Sequence, residues 1–262
     1  MHETFGLPAE PAAATAEPRA GVTLDHRRAN SYLARPGDRM THIFLLIDGW
    51  SVRYRLLNDG RRQITAIFVP GDLCDLAWRG EESATQHVIA ITPIRALCIE
   101  LGAFERQIER DPGTRTIVDH EAHVVAEAQS EWLVSLGRRN AVERLAYLFC
   151  ELVERIGVVN ASGAGWCDMP LTQTDMADIT GLTPVHVNRT LQKMRRSGLI
   201  ELKARQLRLR DFAMIKKIAF FRPRADARRV GSPVSGALEL FHGAPASEYC
   251  FAHAEEARLT PA

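Results

Sequence analysis

The first half of the chain alternates short apolar runs with turn signals. The runs lie at residues 43–47, 52–56, 64–69, 88–91 and 95–99. Sequences such as Asp48-Gly49, Asn58-Asp59-Gly60 and Pro70-Gly71-Asp72 separate them. Many short strands at this spacing predict a small barrel or jelly roll. Within residues 52–56 apolar and basic positions alternate, which predicts a strand with one buried face and one wet face.

Helical periodicity replaces the strand pattern after about residue 115. One set of residues repeats at steps of four and three: Val118, Ala122, Val125, Gln129, Trp132 and Leu136. This repeat is a heptad seam on a helix from about 115 to 137, and it predicts a dimer interface because the seam would otherwise face water. The polar Gln129 within it would fix the register. A second amphipathic helix is predicted over 139–156, followed by a loop over 157–165 and an extended segment over 166–171.

Residues 171–191 contain two helix starts in close succession. Thr172 is a good N-cap with Asp175 three residues on, and Leu171 and Met176 occupy the two positions of a hydrophobic staple. The same signals recur at Thr183, with Pro184 at the first helical position. Gly181 lies between the two helices, where a helix C-terminus needs a residue at positive φ. The segment therefore predicts a helix-turn-helix.

The second of these helices has one face that can pack and others that can read DNA. Val187, Leu191 and Met194 share the apolar face. After the helix, alternating residues on either side of Ala204-Arg205 predict a basic β-hairpin, or wing. The residues predicted to contact DNA are Thr172, Gln173, Thr183, Pro184, Val185, His186, Asn188, Arg189, Lys193, Lys203 and Arg205.

Charge is segregated along the chain. The total net charge is only +1, but residues 170–217 hold ten basic and four acidic residues, a local net charge of +6. The rest of the chain therefore carries a net charge of −5. The positive charge is concentrated in the segment that would contact DNA phosphates. The composition is typical of a globular protein, with 46% hydrophobic and 25% charged residues. The chain of 262 residues is long enough for two domains. Without a spanning run or a secretory signal, the expected compartment is the cytoplasm and no membrane partner is expected.

These motifs resemble a known family. The spacing T-x-x-D-M-A-x-x-x-G-L-T-x-x-x-V-x-R-x-L, then G-L-I and a wing, is similar to the DNA-binding domain of the cyclic-AMP receptor protein and fumarate-nitrate regulator (CRP/FNR) family. The upstream turns R-P-G-D, L-I-D-G-W, D-G and P-G-D are similar to that family's cyclic-nucleotide-binding-type β-roll. The resemblance implies a dimer built on the long helix, with double-stranded DNA as partner and RNA polymerase as a further candidate.

The family's ligand site does not carry over. Cyclic-nucleotide binders have Gly-Glu-Leu after the P-G-D turn and an Arg-Ser/Thr-Ala further on, whereas this chain has Cys74-Asp75-Leu76 and 84–87 reads A-T-Q-H. The arginine that clamps the phosphate is missing, and Arg79 stands at the wrong offset. No cofactor is therefore predicted, the effector is unknown, and binding of cyclic AMP is not expected.

Cysteine and histidine offer weaker alternatives. Iron-sulfur members of the family use an N-terminal cysteine cluster, but the first cysteine here is Cys74, so no cluster is expected. Cys74 and Cys98 form either a redox switch or, as is commoner, two small apolar core residues. His120, His123 and Glu127 share a helix face, but their spacing is not H-E-x-x-H, so no metal site is predicted.

The predicted fold class is α+β, with an N-terminal jelly-roll-like β-roll, a long dimerisation helix and a C-terminal winged helix-turn-helix. The predicted segments are a disordered arm at 1–24, the roll at 25–114, the helix at 115–138, the DNA-binding domain at 139–218 and a disordered tail at 219–262. The predicted function is a dimeric, sequence-specific transcription regulator. The alternative is a ligand-binding or interaction module that does not engage DNA. An enzyme is not predicted, because no nucleophile–base pair or phosphate loop stands out. Operator, effector, direction of regulation and role of the tail stay open.

Overall fold

The computed structural model describes residues 21–74, 76, 82–156, 159–160 and 163–222. Eight strands form its N-terminal part: β1 (Val22–Arg27), β2 (Tyr32–Ala34), β3 (His42–Asp48), β4 (Ser51–Leu56), β5 (Arg62–Phe68), β6 (Leu73–Cys74), β7 (His87–Ala90) and β8 (Ile94–Glu100). They build two four-stranded antiparallel sheets, ordered β1-β8-β3-β6 and β2-β7-β4-β5. The predicted roll and the α+β class are confirmed.

Helices follow the roll; the first of them lead to a second domain and the others belong to that domain. They are α1 (Leu101–Arg110), α2 (Pro112–Arg138), α3 (Ala141–Ile156), α4 (Gln173–Thr180), α5 (Pro184–Arg196) and α6 (Phe212–Ala219). Five further strands are β9 (Val159–Asn160), β10 (Gly163–Ala164), β11 (Trp166–Asp168), β12 (Ile200–Lys203) and β13 (Gln206–Leu209). The long helix begins at Pro112 because Asp111 caps it, accepting hydrogen bonds from Gly113 N at 3.1 Å and Thr114 N at 3.0 Å.

Strand β4 is buried on both faces at residues 51–54 and exposed at Arg55 and Leu56, which corrects the alternation predicted for residues 52–56. Ser51, Val52, Arg53 and Tyr54 are all buried. Val52 and Tyr54 belong to one apolar cluster with the core of the C-terminal domain, while the alternate residues face the inside of the roll. A polar residue on a strand indicates a wet face only when nothing packs there, and here a second domain packs on one side.

Three predicted boundaries shift. Strand β1 begins at Val22, inside the predicted arm, because Val22 pairs with Ile99 of β8 and enters the core. Strands β9 and β10 pair within the predicted loop at 157–165. The predicted tail at 219–262 starts too early, because Ala219 ends α6 and Phe221 is buried in the core of the C-terminal domain. The rest of the predicted arm (1–20) and of the tail (223–262) lies outside the described residues.

The predicted seam of α2 does not face water along its length, which corrects the argument made from the sequence. Val118 is 2% exposed and packs with Phe104 and Ile108 of α1 in the core beside the first sheet. Trp132 packs against the core shared with the C-terminal domain. Ala122 is exposed, and Val125, Gln129 and Leu136 are half-buried. The period of the seam arises mainly because these residues pack against their own chain.

Two arginines fix the junction between α2 and the C-terminal domain. Arg139 is buried and donates to the carbonyl oxygens of Ala219 and Glu131 and to the Glu131 carboxylate. Arg144 donates to the carbonyl oxygens of Leu136 at 2.9 Å and Thr180 at 2.8 Å. These bonds tie the end of α2 to the end of α4, so the long helix and the helix-turn-helix are held in one arrangement.

Candidate nucleic-acid interface

Helix α4 begins with the predicted capping box, which is confirmed. The Thr172 hydroxyl accepts a hydrogen bond from Asp175 N at 3.1 Å, and Asp175 Oδ2 accepts from Thr172 N at 2.9 Å. Leu171 and Met176 are buried beside it, as the staple requires. Because both hydrogen bonds of the capping box are formed, α4 has Thr172 as its N-cap.

The turn between α4 and α5 requires its glycine. Gly181 has φ +64°, and a Cβ there would lie 3.1 Å from Leu136 Cδ2. Any side chain would therefore be strained by the backbone and crowded by α2. The turn is short because α5 starts again at Thr183, whose hydroxyl accepts from His186 N at 3.2 Å. The two helices are thus packed as the sequence predicted.

The exposed face of α5 carries the residues expected to read DNA. Val187, Leu191 and Met194 are fully buried, as is Thr190, whose hydroxyl donates to His186 O. The five predicted contact residues from Thr183 to His186 and at Asn188 are exposed, as are Arg189 and Lys193. Within the described part of the chain no hydrogen bond or ion pair involves the Arg189 guanidinium. Its planar fork is free to meet a guanine edge.

The wing places two basic residues at the tip of a tight hairpin. Lys203 of β12 pairs with Gln206 of β13, and Ala204 and Arg205 between them have φ +50° and +59°. Two successive residues at positive φ make the type of turn that suits the twist of a two-residue hairpin. The Lys203 and Arg205 side chains are exposed, as predicted. Strand β11 pairs with β13 and completes a three-stranded sheet beneath them.

Three of the four acidic residues counted in residues 170–217 form ion pairs, with two arginines between them. Glu201 binds Arg210 at 2.8 Å. Asp175 and Asp178 bind Arg62 of the roll at 2.5 and 2.7 Å. Burial lowers the pKa of Arg62, but its hydrogen bonds to Asp178 and Asp175 outweigh this and raise it. The surface around α4 and α5 is therefore more positive than the sequence count implied, since one of these cations comes from the other domain.

The interior of the roll holds an arginine that the sequence analysis assigned to a wet face. Arg53 is 3% exposed, and its Nε lies 3.4 Å from Thr65 Oγ1. The Thr65 hydroxyl in turn donates to Gln86 Oε1 at 2.6 Å. Arg79 lies outside the described residues. Arg53 and Arg62 are the two functional candidates that sequence reasoning missed, because each is placed by packing across sheets or domains.

A cavity of about 60 Å³ lies between β5, α2 and α3. Its described lining includes the carboxylates of Asp72, Glu121 and Glu151 and the guanidinium of Arg155. Arg155 bonds to Asp72 and to Ile67 O, which closes one wall. Ligand pockets usually measure about 300–1,000 Å³, so this cavity as it stands does not hold a nucleotide. Its carboxylates also make it a poor place for an anionic phosphate.

The four cysteines among the described residues, Cys74, Cys98, Cys150 and Cys167, are free thiols. Phe44 of β3 lies between Cys74 of β6 and Cys98 of β8 in the register. Neighbouring strands lie ~4.8 Å apart, so the Cα atoms of Cys74 and Cys98, two strands apart, are separated by ~9.5 Å. The Cα atoms of two cysteines in a disulfide are at most ~6.8 Å apart. This geometry therefore excludes a disulfide between Cys74 and Cys98. Burial raises the pKa of the Cys150 thiol to about 12 and that of the Cys167 thiol to about 11, so both stay protonated near neutral pH.

Comparisons with known proteins agree with this geometry. Residues 143–218 match the family model of the Crp-like helix-turn-helix domain, and residues 25–111 match that of the cyclic nucleotide-binding domain. The chain is 31% identical to transcriptional activatory protein AadR of Rhodopseudomonas palustris over 170 residues, covering 64% of this chain and 70% of AadR. It is 28% identical to transcriptional activator protein FnrL of Cereibacter sphaeroides over 183 residues, covering 68% and 73%.

A solved structure shares the fold. The structure of FixK2 from Bradyrhizobium japonicum aligns with a TM-score of 0.67 at 23% identity, covering 75% of this chain and 96% of that one. Among the described residues no helix is long and apolar enough to span a membrane, and no group of three or more metal-ligating side chains occurs.

Proposed function

The chain belongs to the CRP/FNR family of DNA-binding transcription regulators, and we propose that it reads its operator as a homodimer with α5 in the major groove. The observation that carries the proposal is the exposed face of α5. Its N-terminal turn presents Thr183, His186 and Arg189 to solvent on a helix whose other side is fully packed. The positive end of the helix dipole at such a start suits a phosphate, while Arg189 suits a base edge.

The wing and the start of α4 supply contacts to the DNA backbone. Lys203 and Arg205 would reach phosphates beside the groove, and Thr172 and Gln173 would place the N-terminus of α4 near another. Lys193 is exposed further along α5 and would meet the backbone there. Because FnrL and AadR carry "activator" or "activatory" in their names, contact with RNA polymerase is part of the proposal.

The homodimer is supported by the outward side of α2. Leu133 is 71% exposed and Val134 is 47% exposed, although both are large and apolar. Ala122 and Ala126 are exposed on the same helix. A second α2 packed against this side would cover Leu133 and bring Gln129 near the two-fold axis. The proposed interface includes Ala122 and Gln129 of the predicted seam. It does not include Val118 and Trp132, which pack within their own chain.

Regulation without cyclic AMP is the third part of the proposal. The arginine that clamps the phosphate in cyclic-nucleotide binders is missing from the matching sequence positions. Three of the four charged described residues around the cavity beside α2 are acidic. An anionic ligand would need more donors than these walls offer to replace its lost hydration.

Selection of bound sequences from a random DNA pool tests the function. The full-length protein should enrich an inverted repeat whose half-sites lie about one helical turn apart. An Arg189→Ala protein should enrich a repeat that is relaxed at one G·C pair in each half. If the wild-type protein enriches no sequence over random DNA at moderate salt, the interaction-module alternative is correct.

A further inference from the structure

Arg62 connects the β-roll directly to the helix-turn-helix. It stands at the first residue of β5, and its guanidinium bonds to two carboxylates of α4. The Nε–Asp178 Oδ2 distance is 2.7 Å, and the Nη2–Asp175 Oδ1 distance is 2.5 Å. The side chains are mostly buried, with 26%, 11% and 20% of Arg62, Asp175 and Asp178 exposed. An ion pair of this kind is screened far less than one on the surface.

The geometry requires arginine. Asp175 and Asp178 are three residues apart, so they face the same side of α4 on adjacent turns. A planar fork can donate to both carboxylates at once from different nitrogens, whereas a lysine ammonium is a point charge on a flexible stem. The Arg62 guanidinium also lies 5.4 Å from the centroid of the Tyr54 ring. The guanidinium therefore also contacts a side chain of its own domain.

Asp175 has two roles at once. Its Oδ2 accepts from Thr172 N and from the Thr172 hydroxyl, which closes the cap of α4. Its Oδ1 binds Arg62. The residue that fixes where α4 begins therefore also fixes where α4 lies against the roll. Movement of β5 would be passed to the N-terminal turn of α4.

Neighbouring residues strengthen the same contact. Gln63 Nε2 donates to Ile179 O of α4 at 3.4 Å. Ile64 of β5 is fully buried in the apolar cluster that also contains Met176 and Ile179. The contact thus combines an ion pair, a hydrogen bond and apolar packing. In this arrangement the reading face of α5 stays exposed, so the contact does not block it.

We propose that Arg62 is a positioning residue for DNA recognition: it fixes α4, and with it α5, against the roll without touching DNA. The proposal extends the proposed function, because its effect on affinity presupposes that α5 binds DNA. It has a structural consequence, the fixed position of α4, that can be measured in DNA-free protein.

The first test uses Arg62→Gln with Arg61→Gln as the matched control. Both variants remove one positive charge, but among the described residues Arg61 forms an ion pair only with Asp59 at the hairpin, and its side chain is 76% exposed. Hydrogen–deuterium exchange of the α4 amides in the DNA-free, full-length protein should be about tenfold faster in Arg62→Gln and unchanged in Arg61→Gln, a factor that corresponds to ~1.4 kcal/mol. Equal exchange in the two variants would overturn the proposal. If Arg62→Gln does not fold, Asp178→Asn weakens the contact from the other side while Asp175 stays bound, and it should show faster exchange by a smaller factor.

The second test measures operator affinity over a range of salt concentrations. Arg62→Gln should bind about tenfold more weakly with an unchanged salt slope, Arg62→Lys should fall between it and wild type, and the loss should shrink in an Asp178→Asn background. A slope lowered by about 1.8, one phosphate for each of the two protomers, would make Arg62 a phosphate contact. Tighter binding would mean that Arg62 holds α4 away from DNA. Either result overturns the proposal that Arg62 is a positioning residue. If wild type binds no DNA, the proposed function fails, while the exchange test still decides whether Arg62 fixes α4.

Discussion

Trp132 of α2 donates its indole N–H to Glu151 Oε2 of α3 at 2.6 Å. Glu151 is only 2% exposed, and its other oxygen lies 3.6 Å from Arg155 Nη1 in an i, i+4 pair. The bond ties the long helix to the first helix of the C-terminal domain within one chain. Trp132 therefore belongs to the junction between the domains, although its heptad position predicted contact with a second chain.

Trp132→Phe should destabilise the protein without dissociating a dimer. Phenylalanine keeps most of the ring but leaves a buried carboxylate oxygen without its donor, which costs roughly 1–3 kcal/mol. The free energy of unfolding in urea should fall by about that amount. Trp166→Phe is the control, because Trp166 lies at the surface with 36% exposure. If the Trp132→Phe protein becomes monomeric and its stability is unchanged, Trp132 lies in the dimer interface instead.

Leu133→Glu should convert the dimer to monomers. Leu133 is the most exposed large apolar residue among those described, and two opposed glutamates at a two-fold axis would be both desolvated and repelled. Light scattering at micromolar concentration measures the mass. Leu24→Glu is the control, since Leu24 is a 48% exposed leucine on β1. If both variants remain dimeric, the chains associate through another surface.

The caps of α4 and α5, the glycine turn and the wing could be predicted because local chemistry determines them. Thr172, Thr183 and Gly181 each satisfy backbone groups within four residues of themselves. Burial across domains could not be predicted in the same way. Periodicity shows which residues share a face of α2 or β4, but it does not show what covers that face. For this reason Arg53 and Val118 were assigned to the wrong environment.

Helix α1 was missed for a different reason. Leu101, Phe104 and Ile108 have helical spacing, and Phe104 and Ile108 are buried. Glu100 at its N-cap makes no side-chain cap bond, so the usual start signal is lacking. A short helix without a cap is hard to separate from the strands before it by pattern alone.

Cyclic AMP should neither raise the melting temperature of the protein nor change its affinity for operator DNA. The cavity beside α2 measures about 60 Å³ and has three carboxylates in its described lining, so a cyclic phosphate would lose hydration without gaining enough donors. Titration calorimetry at physiological nucleotide concentrations measures binding directly. Saturable heat together with a higher melting temperature would show that the roll rearranges to hold the nucleotide.

Arg189→Ala should relax selectivity at one G·C pair in each half-site. Arg189 is exposed on α5 and has no partner in the described part of the chain, so its fork can bind the O6 and N7 atoms of guanine. Its loss should cost roughly 1–3 kcal/mol per half-site for the operator and much less for random DNA. Pro184 and Val185 are apolar and exposed beside it, so they offer at most contact with a thymine methyl group.

Lys203→Ala and Arg205→Ala are the matched controls in the wing, where the side chains lie at the hairpin tip. Each should weaken operator and random DNA alike and lower the slope of log affinity against log salt by about 1.8, because each removes one phosphate contact from each of the two protomers. Competition gel shifts with operator and random duplexes at several salt concentrations separate the two patterns. If Arg189→Ala follows the pattern of the wing variants, Arg189 contacts the backbone and another residue of α5 reads the base pair.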